Sequence, residues 1–522
     1  MAEAQESTLR QDLNHPESRK RALYAAFASK DARFDGQAFV GVSSTGVYCR
    51  PVCHVHMPKY ENCTFYETAA EAEAAGYRPC LVCRPELAPG HSIADASANL
   101  ARRAASLLRE GCTSGESLER MAERLGYTDR HLRRAFQREF EVTPVQYLQT
   151  CRLLLAKSLL TDSDLPVSQV AAAAGFKSVR RFNDLFKERY RLTPTAVRKS
   201  ARRRTPSGDR VAFSLSYRPP YRFAELLAFF RARQLEGVEA VDEHAYARVV
   251  RMQHGDEEVL GWVRVADDER RGALAVTMSA SLLPVTSQVI ARVRRQFDVD
   301  CDPQAVHEGI ASLDDAVPGA AVLGTRVPGC FDPFETAVRA VLGQQVTVVA
   351  ANRLAARIVE RYGKPMDTGI PGLTHAFPTA AEVAALEPIE DALGVLGVIK
   401  TRSRTIAEIA RLLEAGDLRF DAGAVVAEQM ERLLAVKGIG PWSANYLAMR
   451  VLNHPDAFME TDAGVKHALP HLEPKERLEL AEQWLDALRA RQRLDELLVG
   501  LLEGGLNAAG RSREGAQAPS DG

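Results

Sequence analysis

Residues 433–444 read LLAVKGIGPWSA and lie between two segments whose apolar residues recur at helical spacing. Gly438 and Gly440 put a kink between the two helices and permit close approach there. Exposed backbone amides at such a helix start can bind a phosphate oxygen. The stretch therefore predicts a glycine hairpin between two helices, and such a hairpin is by itself a weak indication of function.

An acidic residue follows the hairpin. Asp462 lies 22 positions after Gly440, in the segment FMETDAGVK at residues 458–466. Hairpin and aspartate at this spacing resemble the helix-hairpin-helix DNA glycosylases, and in particular the AlkA-like DNA-3-methyladenine glycosylases. Three more stretches carry the resemblance, which covers residues 211–484: YRPPY at 217–221, RVPGCFDPFE at 326–335 and VLGQQVT at 341–347. Glu460 is the nearby alternative acid, and the spacing favours Asp462.

The resemblance implies that the chain excises alkylated bases by hydrolysis. Asp462 would stabilise the positive charge that develops on the sugar as the base leaves. Trp442, Tyr446 and Phe229 match the family's pocket positions, where aromatic faces hold the extruded cationic base. For each of these three, ordinary core packing is the alternative. Relatives that also cleave the DNA backbone have a lysine where Trp442 stands, so the resemblance implies a glycosylase of the 3-methyladenine II type without lyase activity.

Other positions matched to the family concern DNA contact. Gly438 and Gly440 would contact the phosphate backbone, and Gln345 holds the position from which family members insert a side chain into the duplex. After Trp484 the expected closing helix, rich in Trp, Arg and Tyr, is replaced by LDALRARQR at residues 485–493. The alternative function is therefore a transcription regulator whose glycosylase half is degenerate and inactive.

Two close pairs of cysteines occur within residues 49–83. They are Cys49, Cys53, Cys80 and Cys83. Four thiolates fit one tetrahedral zinc ion, which would stabilise a domain with little core of its own. His54 and His56 lie beside the first pair and could also bind metal, but four cysteines already complete the site. The alternative is a set of buried free thiols.

The residues around these cysteines resemble the amino-terminal zinc domain of the Ada family of methyl-sensing regulators. The matching stretches are FVGVSSTGVYCRP at 39–51, ENCTFY at 61–66 and AGYRPC at 75–80. In that family a zinc-bound thiolate accepts a methyl group from a DNA phosphotriester, and the matching acceptor here is Cys49. Zinc would keep this sulfur ionised and nucleophilic. A purely structural zinc site is the alternative.

A motif recurs along the chain after 49 to 50 residues. AERLGY at 122–127 recurs as AAAAGF at 171–176, and the apolar positions that follow recur at 132, 136 and 140 and then at 182, 186 and 190. Each copy predicts a short helix, a glycine turn, a Thr or Ser near a new helix start and a second periodic helix. The pattern resembles the paired DNA-binding units of the AraC family, and a helical spacer is the alternative.

The second helix of each copy carries basic side chains that can read base edges or grip phosphate. The candidates are Arg130, Arg133, Arg134, Arg180 and Arg181. Residues 101–204 hold 22 Lys and Arg against 11 Asp and Glu, although the whole chain has a net charge of −1. A basic middle predicts a nucleic-acid footprint there, with a solvated surface as the alternative.

The predicted fold class is multidomain α+β. A small zinc domain and an all-α double helix-turn-helix precede a mixed α/β subdomain and an all-α helix-hairpin-helix domain. The predicted boundaries are 1–20 disordered, 21–90 zinc domain, 95–200 helix-turn-helix pair, 201–210 linker, 211–285 α/β subdomain, 286–506 glycosylase domain and 507–522 disordered tail.

The expected cellular location and binding partners of the protein follow from its composition and from these resemblances. No apolar run approaches the roughly 20 residues of a membrane span, and the first 20 residues lack a signal-peptide core. We therefore expect a cytoplasmic protein with no membrane partner. Its expected partners are alkylated and promoter double-stranded DNA and, for a transcription activator, RNA polymerase.

Overall fold

The computed structural model divides the chain into two compact units. One comprises Met1–Ser106 and Ser117–Tyr147, and the other Leu107–Glu116 and Leu148–Gly522. The structure describes residues 20–21, 23–24, 27–30, 38–53, 57–66, 69–80, 82–83, 85, 93–200, 209–454 and 457–481. The predictions for the chain ends, for most of the linker, for the closing segment at 485–493 and for the two histidines at 54 and 56 lie outside the described residues.

A small sheet organises the first unit. Its strands are β1 (Phe39–Val42), β2 (Val47–Cys49), β3 (Cys63–Tyr66) and β4 (Arg78–Pro79), in the order β3-β1-β2-β4. β1 pairs antiparallel with β2 and β3, whereas β4 runs parallel to β2. Helix α1 (Ala69–Ala74) packs on the sheet, and Ala72 is buried there with Phe39 and Tyr48. This short sheet places Cys49 at the end of a strand.

Seven helices follow the zinc region. They are α2 (Ile93–Glu110), α3 (Leu118–Arg124), α4 (Asp129–Phe140), α5 (Pro144–Asp162), α6 (Val167–Ala173), α7 (Val179–Tyr190) and α8 (Pro194–Ser200). The repeat is confirmed in its details, because Thr128 and Ser178 cap α4 and α7 through their side-chain oxygens. The turns before them contain Gly126 and Gly175, whose φ angles of +82° and +80° favour glycine.

A five-stranded antiparallel sheet begins the part of the chain after the linker. Its strands are β5 (Arg210–Ser216), β6 (Glu239–Val241), β7 (Ala245–His254), β8 (Glu257–Asp268) and β9 (Ala273–Ser279), in the order β5-β9-β8-β7-β6. Helix α9 (Phe223–Ala232) crosses between β5 and β6 and buries Phe223, Leu226, Leu227 and Phe230. Alternating residues of β5 are buried, as expected for a strand with one face on a core.

The described residues after this sheet are mainly helical. The helices are α10 (Thr286–Gln296), α11 (Pro303–Gly309), α12 (Leu313–Ala316), α13 (Pro333–Leu342), α14 (Val348–Tyr362), α15 (Ala380–Ala384), α16 (Ile389–Gly394), α17 (Lys400–Ala415), α18 (Val426–Ala435), α19 (Pro441–Arg450) and α20 (Ala463–Ala468). A two-residue pairing of Lys364–Pro365 (β10) with His375–Ala376 (β11) interrupts them. The predicted multidomain α+β fold class is thereby confirmed.

Within the second unit, the second helix-turn-helix and the five-stranded sheet share one hydrophobic core. Phe182 and Phe186 of α7 belong to the same buried cluster as Val211 and Phe213 of β5. The backbone amide of Ser214 also donates to Asp162 Oδ2 at 3.2 Å. The core is therefore continuous across the segment that the sequence marks as a linker, and the domain boundaries stay predictions.

A buried polar contact adds to this packing. Ser287 at the start of α10 lies 2.9 Å from the hydroxyl of Thr113 and donates to the backbone carbonyl of Glu110 at 2.8 Å. Arg295, farther along α10, forms an ion pair with Glu110. Among the described residues, no helix combines the length and the apolar character needed to cross a membrane.

Candidate functional site

The four predicted zinc ligands come together at the edge of the small sheet. Their sulfur atoms all lie within 4.8 Å of one another. A tetrahedral site with zinc–sulfur bonds of about 2.3 Å separates its sulfurs by about 3.8 Å, so the cluster has the right size for one zinc ion. Cys49 and Cys80 are buried, whereas Cys53 and Cys83 are partly exposed. The predicted cofactor, one zinc ion on four cysteines, is thereby confirmed.

The electrostatics of the cluster also fit a bound cation. Hydrogen bonding to the thiol of Cys49, followed by the backbone amide of Arg50 at 3.3 Å, lowers the pKa of Cys83 to about 6. The pKa of Cys49 is raised by its hydrogen bond to Cys83 and by burial. Because neighbouring thiolates repel one another, all four can ionise together only around a positive ion. Cys63 lies outside the group and donates to the carbonyl of Lys59.

The predicted DNA-contacting arginines differ in their exposure and in whether they form an ion pair. Arg130 and Arg134 of α4 and Arg180 and Arg181 of α7 are exposed. Arg133 instead pairs with Asp129, one turn before it on α4, at 2.7 Å. That pairing occupies part of the guanidinium, so Arg133 is the candidate least available to a phosphate.

The predicted glycine hairpin forms between α18 and α19. Gly438 has a φ of +98°, and a β-carbon there would lie 2.3 Å from the hydroxyl oxygen of Thr405, so only glycine fits. The Thr405 hydroxyl donates to the carbonyl of Lys437 at 2.8 Å. Gly440 caps α19 and is exposed. The hairpin thus presents the start of a helix to solvent, as phosphate binding requires.

The predicted insertion residue lies beside the hairpin. Gln345 is exposed in the loop between α13 and α14 and has a φ of +55°, which is uncommon for a residue with a side chain. Its neighbour Gln344 donates from Nε2 to the carbonyl of Gly438 at 2.8 Å and to the hydroxyl of Ser443 at 3.0 Å. Arg402 donates to the carbonyl of Gln344. These contacts hold the loop against the hairpin.

Asp462, Trp442 and Tyr446 are brought into one contact chain. The indole Nε1 of Trp442 donates to Asp462 Oδ2 at 3.0 Å, and the backbone amide of Gly464 donates to Oδ1 at 2.8 Å. The rings of Trp442 and Tyr446 stack with centroids 5.2 Å apart and planes 11° from parallel. Asp462 is half-buried and caps α20. A carboxylate held by two donors beside an aromatic stack can stabilise a nearby positive charge.

Phe229 lies near the same group, but arginines cover it. The guanidinium of Arg233 lies 3.9 Å from the centre of the Phe229 ring, and that of Arg450 lies 4.8 Å from it. Arg450 donates to the hydroxyl of Tyr446 at 3.0 Å and to the carbonyl of Gly329 at 2.9 Å. Burial lowers the pKa of Arg233. A base that stacks on Phe229 must therefore displace a guanidinium, that of Arg233 being the more exposed.

A buried ionic cluster connects the five-stranded sheet to α13. Arg248 donates to Glu335 at 2.7 Å, and Arg339 bridges Glu335 at 2.9 Å and Glu239 at 3.2 Å. The hydroxyl of Tyr246 donates to Glu239 at 2.6 Å. Nearby arginines lower the pKa of Glu335 although its burial opposes ionisation. The cluster joins β6 and β7 to α13 and so ties the sheet to the helices that carry the pocket.

Sequence reasoning missed Arg450, Arg233 and the ionic cluster. Arg450 had a detectable signal, because positions 442, 446 and 450 recur every four residues on one face of α19. Arg233 likewise follows Phe229 by four residues. Glu335 and Arg339 have the same four-residue spacing on α13. Their contacts with Glu239 and Arg248 had no local signal, since these two residues come from a distant segment.

Four family models match successive parts of the chain. "Metal binding domain of Ada" matches residues 22–86, and "Helix-turn-helix domain" matches residues 121–200. "AlkA N-terminal domain" matches residues 212–332, and "HhH-GPD superfamily base excision DNA repair protein" matches residues 338–490. The resemblances drawn from the sequence motifs are therefore confirmed at the level of families.

One curated relative is similar over most of the chain, and another over about half of it. The chain is 38% identical over 455 residues to the "Probable bifunctional transcriptional activator/DNA repair enzyme AlkA" of Mycobacterium tuberculosis, covering 86% of this chain and 89% of that protein. It is 35% identical over 272 residues to "DNA-3-methyladenine glycosylase 2" of Escherichia coli, covering 52% of this chain and 92% of that protein. A solved 3-methyladenine DNA glycosylase from Archaeoglobus fulgidus aligns with a TM-score of 0.42 and 20% identity over 53% of this chain and 92% of its own. The chain belongs to the family of bifunctional transcriptional activator/DNA repair enzymes of the AlkA type.

Proposed function

We propose that the chain removes alkylated purines such as 3-methyladenine from DNA by hydrolysis of the N-glycosidic bond, with Asp462 as the catalytic carboxylate. The supporting observation is the 3.0 Å hydrogen bond from Trp442 to Asp462, which joins a half-buried carboxylate to the stacked aromatic pair. The base pocket would use Trp442, Tyr446 and Phe229. Gly438, Gly440 and Gln345 would contact the DNA around the extruded nucleotide.

The reaction follows from where charge develops. The bond between the sugar C1′ and the base nitrogen breaks, and its electron pair leaves with the base, which methylation has already made cationic. Asp462 stabilises the positive charge left on the sugar and orients the water whose oxygen bonds to C1′. That water loses one proton to solvent as the C1′–O bond forms. The products are a free base and an abasic sugar. Since Trp442 offers no amine nucleophile, the proposed activity stops before backbone cleavage.

The decisive experiment measures release of free 3-methyladenine from methylated DNA by the purified full-length chain. We expect wild-type protein and Glu460→Gln to release the base and Asp462→Asn to lose about 100-fold or more in rate. Retention of activity in Asp462→Asn would overturn the assignment of Asp462. Absence of release by wild-type protein would support the alternative, a regulator with an inactive glycosylase half.

A second proposed activity concerns the zinc centre, and its supporting observation is the clustering of the four sulfurs. The sulfur of Cys49 would attack the methyl carbon of a DNA methylphosphotriester, forming an S–CH₃ bond while the C–O bond breaks and leaves a phosphodiester anion. Bound zinc supplies the positive charge that keeps the sulfur ionised. Each molecule would react once, because the thioether is not reversed.

Methylation of Cys49 would remove one negative charge and so favour DNA phosphate contact. The exposed arginines of α4 and α7 would then bind a promoter, where the chain would activate RNA polymerase. Promoter binding should rise after exposure to methylphosphotriester DNA in wild-type protein and not in Cys49→Ala. Equal binding in both proteins would leave the zinc centre with a structural role only.

A further inference from the structure

A small cavity lies next to the aromatic pocket and has no role in the proposed chemistry. Phe229, Tyr446 and Arg450 line it together with Gln296 and Gly329, and its volume is about 50 Å³. A water molecule needs roughly 10–15 Å³ of such space. The cavity therefore suits a few waters or the polar edge of a base.

Two polar atoms of residues that line the cavity have no hydrogen-bond partner among the described residues. They are Oε1 of Gln296 and Nε of Arg450. Gln296, the last residue of α10, is 2% exposed, and Arg450 is 7% exposed. Proteins seldom leave buried polar groups unpaired, and such exceptions call for a specific explanation. An unpartnered acceptor and an unpartnered donor on residues that line one cavity could both be paired by a ligand that offers a donor and an acceptor.

Hydrogen bonds hold the side chain of Arg450 and the backbone of Gln296 in place. Arg450 is fixed by its bonds to the hydroxyl of Tyr446 and the carbonyl of Gly329, so the direction of its Nε is set before any base arrives. The backbone amide of Gly329 donates to the carbonyl of Gln296 at 3.0 Å. A β-carbon at Gly329 would lie 2.2 Å from the carbonyl oxygen of Arg295, so this close approach requires glycine. The two segments are therefore locked together at the cavity.

We propose that Gln296 and Arg450 read the polar edge of the extruded base. Gln296 Oε1 accepts a hydrogen bond from an exocyclic amino group, and Arg450 Nε donates to an adjacent unprotonated ring nitrogen. This inference rests on the proposed glycosylase function and names the preferred substrates as bases that carry an N–H donor beside an acceptor. 3-Methyladenine has such an edge, whereas O2-methylthymine has acceptors and no N–H on its ring.

The aromatic faces of the pocket cannot supply this preference, because every base has a face that stacks. A site built to hydrogen-bond a substrate group can reject an analogue that lacks the group by large factors. The two unpartnered atoms thus make Gln296 and Arg450 specificity-determining residues, separate from the carboxylate that acts on the sugar.

The test compares two bases in the full-length chain. Single-turnover release of 3-methyladenine and of O2-methylthymine is measured for wild-type protein, for Gln296→Leu and for Gln253→Leu, whose glutamine is exposed on β7. We expect the ratio of the two release rates to fall about tenfold or more in Gln296→Leu and to stay unchanged in Gln253→Leu. An unchanged ratio in Gln296→Leu overturns the inference.

Two further measurements separate the possible failures. Replacing Gln296, whose buried Oε1 has no partner among the described residues, with leucine should leave the Tm unchanged or raise it. A lower Tm would mean that the Gln296 amide is already paired in the free protein and would overturn the inference. If wild-type protein releases neither base, the proposed glycosylase function has failed. Calorimetric binding of free 3-methyladenine then decides: weaker binding by Gln296→Leu supports the reading of the base edge, and equal binding rejects it.

Discussion

The zinc centre and the base pocket build their chemistry in opposite ways. The zinc centre takes its four sulfurs from two short pairs 26 residues apart and gathers them within 4.8 Å. The base pocket and the cavity beside it gather Phe229, Gly329, Tyr446, Arg450 and Asp462 from segments spread over more than 200 residues. A single ion can organise the first site, whereas the second depends on the packing of the whole second unit.

This difference indicates which changes should destabilise each site. Zinc coordination concentrates the stability of a small domain in one ion, so that removing it should undo the local fold. The pocket distributes its support among a buried ionic cluster, an aromatic stack and a core shared with α6 and α7. Single changes there should have graded effects, and the following experiments measure both behaviours from the largest effect to the smallest.

Removal of zinc should have the largest effect. Because structural zinc contributes on the order of 10 kcal/mol to the folding of small domains, chelation should unfold the region from β1 to β4. Limited proteolysis and zinc analysis would detect this, while base release by the second unit should persist. Cys80→Ser should behave like the chelated protein and Cys63→Ser should retain zinc. Loss of base release on chelation would show that the contrast between the two sites is wrong.

Breaking the buried ionic cluster should have the next largest effect. Arg248→Met removes the cation 2.7 Å from Glu335 and leaves a buried carboxylate poorly compensated. We expect the free energy of unfolding of the second unit to fall by about 3–5 kcal/mol. Denaturant titration measures it, with the exposed pair of Arg411 and Glu408 as the control, where Arg411→Met should leave the free energy of unfolding nearly unchanged. Equal losses in the two variants would contradict the prediction.

Removal of one hydroxyl from the pocket should have a smaller effect. Tyr446→Phe retains the stack on Trp442 and removes the acceptor of the Arg450 hydrogen bond. We expect single-turnover release of 3-methyladenine to fall about tenfold, as the loss of a hydrogen bond to a charged group suggests. Tyr446→Ala, which also removes the stack, should lose more. A normal rate in Tyr446→Phe would mean that the position of Arg450 does not matter for base release.

Loss of the hydrogen bonds between Ser287 of α10 and the segment Glu110–Thr113 should have the smallest effect. Ser287→Ala removes the hydrogen bonds to Thr113 and to the carbonyl of Glu110. The free energy of unfolding of the second unit should fall by about 1–2 kcal/mol. Ser168→Ala, at an exposed position of α6, should change it by less than about 0.5 kcal/mol. No difference between the two variants would show that this contact adds nothing to the shared core.

Short-range features of this protein could be predicted from the sequence because their causes are local. The caps at Thr128 and Ser178, the hairpin at Gly438 and the cysteine pairs each depend on the conformations or metal preferences of residues close in the chain. Roles such as the catalytic carboxylate of Asp462 stay predictions until base release is measured.

Long-range features could not be predicted in the same way. Gln296 ends an amphipathic helix and looks there like any polar residue near a helix end, so nothing local distinguishes its burial beside the cavity. The same holds for the covering of Phe229 by Arg233 and Arg450. Each of these depends on which surfaces meet when the chain packs.

The amino-acid sequence by itself determined the order of the parts, the repeated helical units, the four zinc ligands and the position of the glycine hairpin. Only the tertiary structure decided that α6 and α7 share a core with the five-stranded sheet and that residues with an unpartnered acceptor and an unpartnered donor line a cavity beside Tyr446. The physical reason is the separation along the chain of the residues that interact. Backbone conformation and metal coordination by close pairs act between neighbours in the chain, whereas burial and charge compensation act between surfaces that only folding brings together.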